Sequence, residues 1–174
     1  MKTFIRSTFI LALLILNGCS TSRNTPAPII ERHGDHYETS PAPPSYATKR
    51  PSGKGDQIYT IAHKLIGSPY RYGGEDPSGF DCSGLVQYSH RNVGIKVPRT
   101  ANDQYKSAYS IPASELKPGD VIFFRFNWRN ISHVGIYAGQ GKFIHAPRKG
   151  KRVTTSSLSE PYWQKRVAKT GRFY

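Results

Sequence analysis

The stretch F-D-C-S-G-L-V-Q-Y, Phe80 to Tyr88, decides how the rest of the chain reads. Cys82, Leu85 and Val86 share a helical face that Val93 continues, so a helix is expected to open at Asp81 or Cys82. That puts a cysteine at a helix N-terminus, where unpaired backbone N–H groups carry partial positive charge. Only one other cysteine exists, Cys19, so the pairing available to Cys82 depends on what happens at the other end of the protein.

Lys2 and Arg6 form a basic start, and Phe9 to Leu16 is an unbroken run of eight apolar residues. A bilayer span needs about 20 residues, so the run fits the apolar core of a signal peptide instead. L-N-G-C, Leu16 to Cys19, resembles the lipobox of bacterial lipoproteins. The likeness implies removal of residues 1–18 and lipid on Cys19. Ser20 rather than an acid follows, which in sorted lipoproteins of two-membrane bacteria favours the outer membrane, here at its periplasmic face. An ordinary signal peptide with a chance cysteine is the alternative. With Cys19 lipidated, Cys82 is a lone thiol in an oxidising space, hence reactive or intermolecular.

The chain holds 25 Lys and Arg against 11 Asp and Glu, a formal +14. Losing Lys2 and Arg6 with the leader gives 14 − 2 = +12. Such a charge attracts acidic polymers or anionic lipid; an exported, tethered protein has little call on nucleic acid. Residues 19–55 read as the lipidated terminus and a tether. Six prolines and many Ser and Thr leave too little apolar surface to offset ordering, and the stretched segment reaches on the order of 100 Å.

An ordered domain is expected over residues 56–174. Ile58, Ile61, Ala62, Leu65 and Ile66 mark a first helix with Asp56 as candidate cap and Gly67 as stop, followed by a Gly- and Tyr-rich loop over residues 68–79. A short helix follows Pro98, where Thr100 and Asp103 match a capping box. After Pro118-Gly119-Asp120 come short β-rich runs at 121–126, 131–138, 142–146, 152–156 and 166–173. Helices first and strands second argue for an α+β domain with an antiparallel sheet.

Three residues of this frame carry chemistry: Cys82, His133 and His145. An imidazole beside a thiol and a helix N-terminus both favour the nucleophilic thiolate, and a second polar group can orient the imidazole. His133 and His145 fall in adjacent runs that read as a hairpin. They share a face only if paired positions sum to an even number, as with a three-residue loop Gly139 to Gly141 or with a bulge. The rings then stand diagonally, roughly 7–8 Å apart at the backbone. Two other readings remain open at this point. One Cys and two His could hold zinc, though no second cysteine or acid-rich helix supports it, and the three residues could simply be packed in a core.

Y-R-Y-G-G, D-C-S-G-L-V, V-P-R-T, L-K-P-G-D-V-I-F-F, H-V-G-I-Y and F-I-H-A occur in order over residues 56–174. Together they resemble the NlpC family of papain-like cell-wall peptidases, lipoprotein branch. The resemblance implies a nucleophile-bearing helix packed on a central antiparallel sheet. It implies hydrolysis of amides in peptidoglycan stem peptides, with Cys82 as nucleophile, His133 as base and His145 as third member. Tyr70 matches an oxyanion- or substrate-contacting tyrosine, and Asp81 and Ser83 match substrate-contacting positions. No cofactor or metal is called for, and a monomer is expected. The rival readings are a non-catalytic peptidoglycan-binding lipoprotein and an amide acyltransferase of the same fold.

Overall fold

Residues 53–174 are described by a computed structural model; the expected leader 1–18, the Cys19 lipidation site and nearly all of the tether 19–55 lie outside the described residues. Helix α1 spans Lys54–Lys64 and starts at Gly53 rather than at Asp56, which sits in its first turn and there complements the positive end of the helix. Ile58 and Ala62 are fully buried while Ile66 is exposed, so the inward face is narrower than the apolar stripe suggested. Gly67, at φ +92°, turns the chain out of the helix.

The loop before Cys82 contains a small hairpin, β1 (Glu75–Asp76) and β2 (Gly79–Phe80), its turn held by Ser78 N–H donating to Asp76 at 2.8 Å. Helix α2, Cys82–Arg91, follows at once, with Asp81 as N-cap accepting the Gly84 N–H at 2.7 Å. The hairpin loop presses on the first turn of α2 so closely that a Cβ at Gly84 would collide with the Gly74 carbonyl. That contact gives the glycine of D-C-S-G a steric reason. Helix α3, Ala101–Ser107, is capped by Thr100, whose Oγ1 accepts the Asp103 N–H at 3.2 Å. Its hydroxyl donates to the Asp103 carboxylate at 2.7 Å.

Six strands make the main sheet: β3 (Tyr109–Ser110), β4 (Val121–Phe124), β5 (His133–Gly139), β6 (Lys142–His145), β7 (Thr154–Ser157) and β8 (Val167–Arg172). Their order is β3-β8-β4-β5-β6-β7, and every neighbouring pair is antiparallel. One face carries α1 and α2 over Val121, Phe123, Val134, Ile136 and Ile144. The other packs Ile122, Phe124 and Phe143 under Trp163 from the short helix α4, Pro161–Gln164. All four residues of β4 are buried, which is why V-I-F-F is apolar without alternation. At the C-terminus, fully buried Asp120 accepts two bonds from Arg172, at 2.6 and 2.7 Å, and one from the Tyr174 hydroxyl at 3.2 Å, pinning β8.

Candidate active site

Cys82 is the first residue of α2 and is half-buried. It opens into a cleft of about 440 Å³ shared with Tyr70, Tyr72, Asp81, Ser83, Arg99 and Ser132. A backbone bridge between Tyr70 and Phe80 sets Tyr70 beside the entry to α2. Burial, then the neighbouring Cys82 and Asp81, push the Tyr70 phenol up, so it remains an O–H donor. Asp81 and Ser83, expected to face substrate, are largely turned toward Arg99. The guanidinium grips Asp81 at 2.6 and 3.0 Å, donates to Ser83 Oγ at 3.0 Å and lies 3.5 Å from Glu75. Burial alone would raise the Asp81 carboxyl, but hydrogen bonds from Arg99, Gly84 N–H and Ser83 outweigh it and leave it lowered. Gln104 ties the two sides together, donating to the Ser83 carbonyl at 2.9 Å and the Pro98 carbonyl at 2.8 Å. Sequence reasoning singled out neither Arg99 nor Gln104. The only signal for Arg99 was its place in V-P-R-T.

The histidines come from the β5–β6 hairpin, and the parity argument holds in its bulged form. Ile136 pairs with Ile144 and Tyr137 with Phe143, giving an even sum; the register then shifts so that Gly139 pairs with Lys142. The turn is therefore two residues, Gln140-Gly141, not the three-residue loop expected. Both have positive φ, 52° and 67°, the type I′ turn that matches strand twist. The bulge beside it restores the shared face. His133 Nε2 and His145 Nδ1 lie 2.8 Å apart, with the rings nearly perpendicular at 83°. His145 Nε2 reaches Ser156 Oγ at 3.1 Å, a third partner that sequence reasoning missed. Trp163 stacks on His133 at 5.7 Å and meets His145 edge-on at 4.9 Å.

Cys82 and His133 lie on opposite faces of the sheet, on either side of the start of β5. Leu85 and Val86 of α2 pack on the Val134 side, whereas His133 lies on the Trp163 side. The Val134 backbone amide, next in sequence to His133, is among the groups that favour a charged Cys82 sulfur. Among the described residues no hydrogen bond joins Cys82 directly to His133. Its bond to His145 uses Nε2 and leaves Nδ1 as the ring atom available to a thiol.

The electrostatics correct one expectation. Cys82 is not poised as a thiolate. Burial first and the Asp81 carboxylate second push its thiol up to about 11, against the lowering effect of the Val134, Ser83 and Cys82 amides. Burial, then His145, pushes His133 down to about 3, and burial takes His145 to about 4. The resting site thus holds a neutral thiol and neutral imidazoles. The helix terminus fails to win because burial outweighs it and because its own cap is an anion one residue from the sulfur. Among the described residues no three side chains of His, Cys, Asp or Glu cluster as a metal site would need.

Similarity places this geometry. The sheet-and-helix arrangement is that of a papain-like domain. Residues 67–172 match the NlpC/P60 family, and the chain belongs to it. It is 53% identical over 105 residues to the murein DD-endopeptidase MepH of Escherichia coli, covering 58% of this chain and 39% of that protein. The probable endopeptidase YafL of the same organism is 37% identical over 154 residues, 77% of this chain and 62% of the relative. Among solved structures, the NlpC/p60 domain of the peptidoglycan hydrolase SagA aligns with a TM-score of 0.60 at 34% identity, over 68% of this chain and 97% of that one. An NlpC/P60 family protein from Bacillus cereus aligns at 0.66 and 30%, over 68% and 40%. The chain therefore spans 39% of MepH and 62% of YafL rather than their whole length.

Proposed function

We propose that this protein is a peptidoglycan endopeptidase, a cysteine peptidase that hydrolyses amide bonds of murein stem peptides or cross-links through an acyl-enzyme. The observation that carries the reading is a half-buried thiol at a capped helix start, open to a cleft whose lining includes Ser132, the neighbour in sequence of the first residue of a connected His133–His145–Ser156 chain. Relatives named as endopeptidases and hydrolases support it.

Since thiol and imidazole are both neutral at rest, proton transfer and attack occur together. His133 Nδ1 takes the Cys82 proton as the sulfur bonds to the carbonyl carbon. The carbonyl oxygen becomes an anion, stabilised by backbone N–H at the start of α2 and by the Tyr70 hydroxyl. Collapse breaks the C–N bond, and the amine departs with the proton from His133. Water, deprotonated by the same nitrogen, then releases the acid and restores the thiol. Asp81 and Ser83, held by Arg99, border the acyl part of the substrate. The chain acts as a monomer on the periplasmic face of the outer membrane, anchored by lipid on Cys19. A basic domain on such a leash meets a polymer whose stems carry carboxylates.

Isolated sacculi test this. Wild type is expected to release muropeptides whose masses report the bond cut, and Cys82→Ala to release none while keeping its melting temperature. Release by the Cys82→Ala protein would refute the assignment.

A further inference from the structure

We propose that the leaving-amine half of the substrate binds along a cationic, aromatic groove beyond His133, and that this half is an extended, carboxylate-bearing strand. The inference rests on the reaction proposed above. His133 protonates the departing amine, so that fragment lies on the His133 side, while the acyl half stays in the Cys82 cleft.

Ser132 belongs both to that cleft and to a second groove of about 690 Å³ on the His133 side, bordered by Phe126, Arg148 and Tyr162. Phe126 in turn leads into a third depression of about 330 Å³ walled by Arg125, Trp128, Lys165 and Arg166. Ser132 is thus common to the first two and Phe126 to the second and third.

The chemistry changes along this path. The Cys82 cleft contains Asp81, which neutralises Arg99. No acid lines either groove beyond His133. Among the described residues, no carboxylate pairs with Arg125, Arg148, Lys165 or Arg166. Four cations kept without counter-charge raise the local positive potential, and an anionic ligand is the partner that relieves it. Arg166 is held in place, stacked 4.1 Å over Tyr162 and 5.5 Å over Phe126, and donates to the Tyr162 carbonyl at 2.5 Å. Trp128 stands 81% exposed, with the Arg129 guanidinium 4.8 Å from its ring. A tryptophan left in water on a cationic rim offers a flat face to a peptide or sugar ring. Charge is thus asymmetric about the bond to be cut, and the anionic half is the one that leaves.

The test uses two synthetic stem peptides with the same acyl half. Their leaving halves span several residues and differ only in bearing free carboxylates or carboxamides. Wild type is expected to favour the carboxylate peptide by about tenfold in kcat/KM at low salt, chiefly through KM, with the preference shrinking as salt rises. In Arg125→Gln/Trp128→Ala, where both side chains are exposed, the ratio is expected to fall toward one. Equal kcat/KM for the two peptides in wild type, or an unchanged ratio in the variant, overturns the groove alone. Wild-type inactivity on both peptides and on sacculi overturns the reaction, and the groove with it.

Discussion

Ser156 sits 3.1 Å from His145 Nε2, and the direction of that hydrogen bond decides whether His133 can act as a base. Each neutral imidazole carries one N–H. If Ser156 donates to His145, then His145 Nδ1–H donates to His133 Nε2 and the remaining proton of His133 sits on Nδ1, blocking it. If Ser156 accepts from His145 Nε2–H, the chain reverses and Nδ1 of His133 is the lone pair that meets the thiol. The proposed reaction requires the second arrangement, which would make Ser156 a positioning residue. Ser156→Ala is expected to lower kcat about tenfold with KM little changed, and Ser156→Thr to restore most of it. An unaltered kcat in Ser156→Ala would contradict this. Cys82, His133 and His145 could be put forward from the sequence because each lies within a distinctive block. Ser156 was not, since it reaches His145 only through the β6–β7 register that pairs His145 with Thr154 and Phe143 with Ser156. Arg99 was hidden for the same reason: its grip on Asp81 spans 18 positions that no local pattern connects.

The β5–β6 hairpin is the element that makes two separated histidines into one unit, and its register rests on Gln140-Gly141 and the adjacent bulge. A slip of one residue would send His145 to the opposite face. Gln140 holds φ 52° without being Gly or Asn, a position where other L-residues cost about 1 kcal/mol. Gln140→Asn is expected to raise stability by about 0.5–1 kcal/mol in urea unfolding while leaving activity intact; a loss of stability would contradict the turn assignment. Parity was readable in advance because alternation is fixed by backbone geometry. The division into a two-residue turn plus a bulge was not, because both solutions place the histidines alike. The two-residue edge strand β3 and four-residue α4 also escaped notice. Each is too short to show its period repeating, yet α4 supplies the tryptophan that stacks on His133.

Across the whole domain, His90, His133 and His145 are buried, and His90 is pushed by burial down to about 4, like His145. Their folded pKa values lie below the ordinary 6.5, so the unfolded chain binds more protons over the window from about 6.5 down to 4. Stability is therefore full above 6.5 and lost as pH falls through that window, on the order of 3 kcal/mol for His90 alone. The melting temperature is expected to drop by at least about 10 °C between pH 7 and 4.5; a constant or rising value would contradict the burial of these rings as neutral species. The order of helices and strands was legible from periodicity, as was a sheet of antiparallel neighbours. Which face each proposed catalytic group occupies was not, because Cys82 and His133 lie in different layers, on opposite faces of the sheet. The proposed reaction stands on Cys82 as the nucleophile, and acid quenching of enzyme with a stem-peptide substrate shows whether it is acylated. Mass spectrometry is expected to find the acyl fragment as a thioester on the peptide containing Cys82. Turnover with no adduct on Cys82, or an adduct on another residue, would contradict the account.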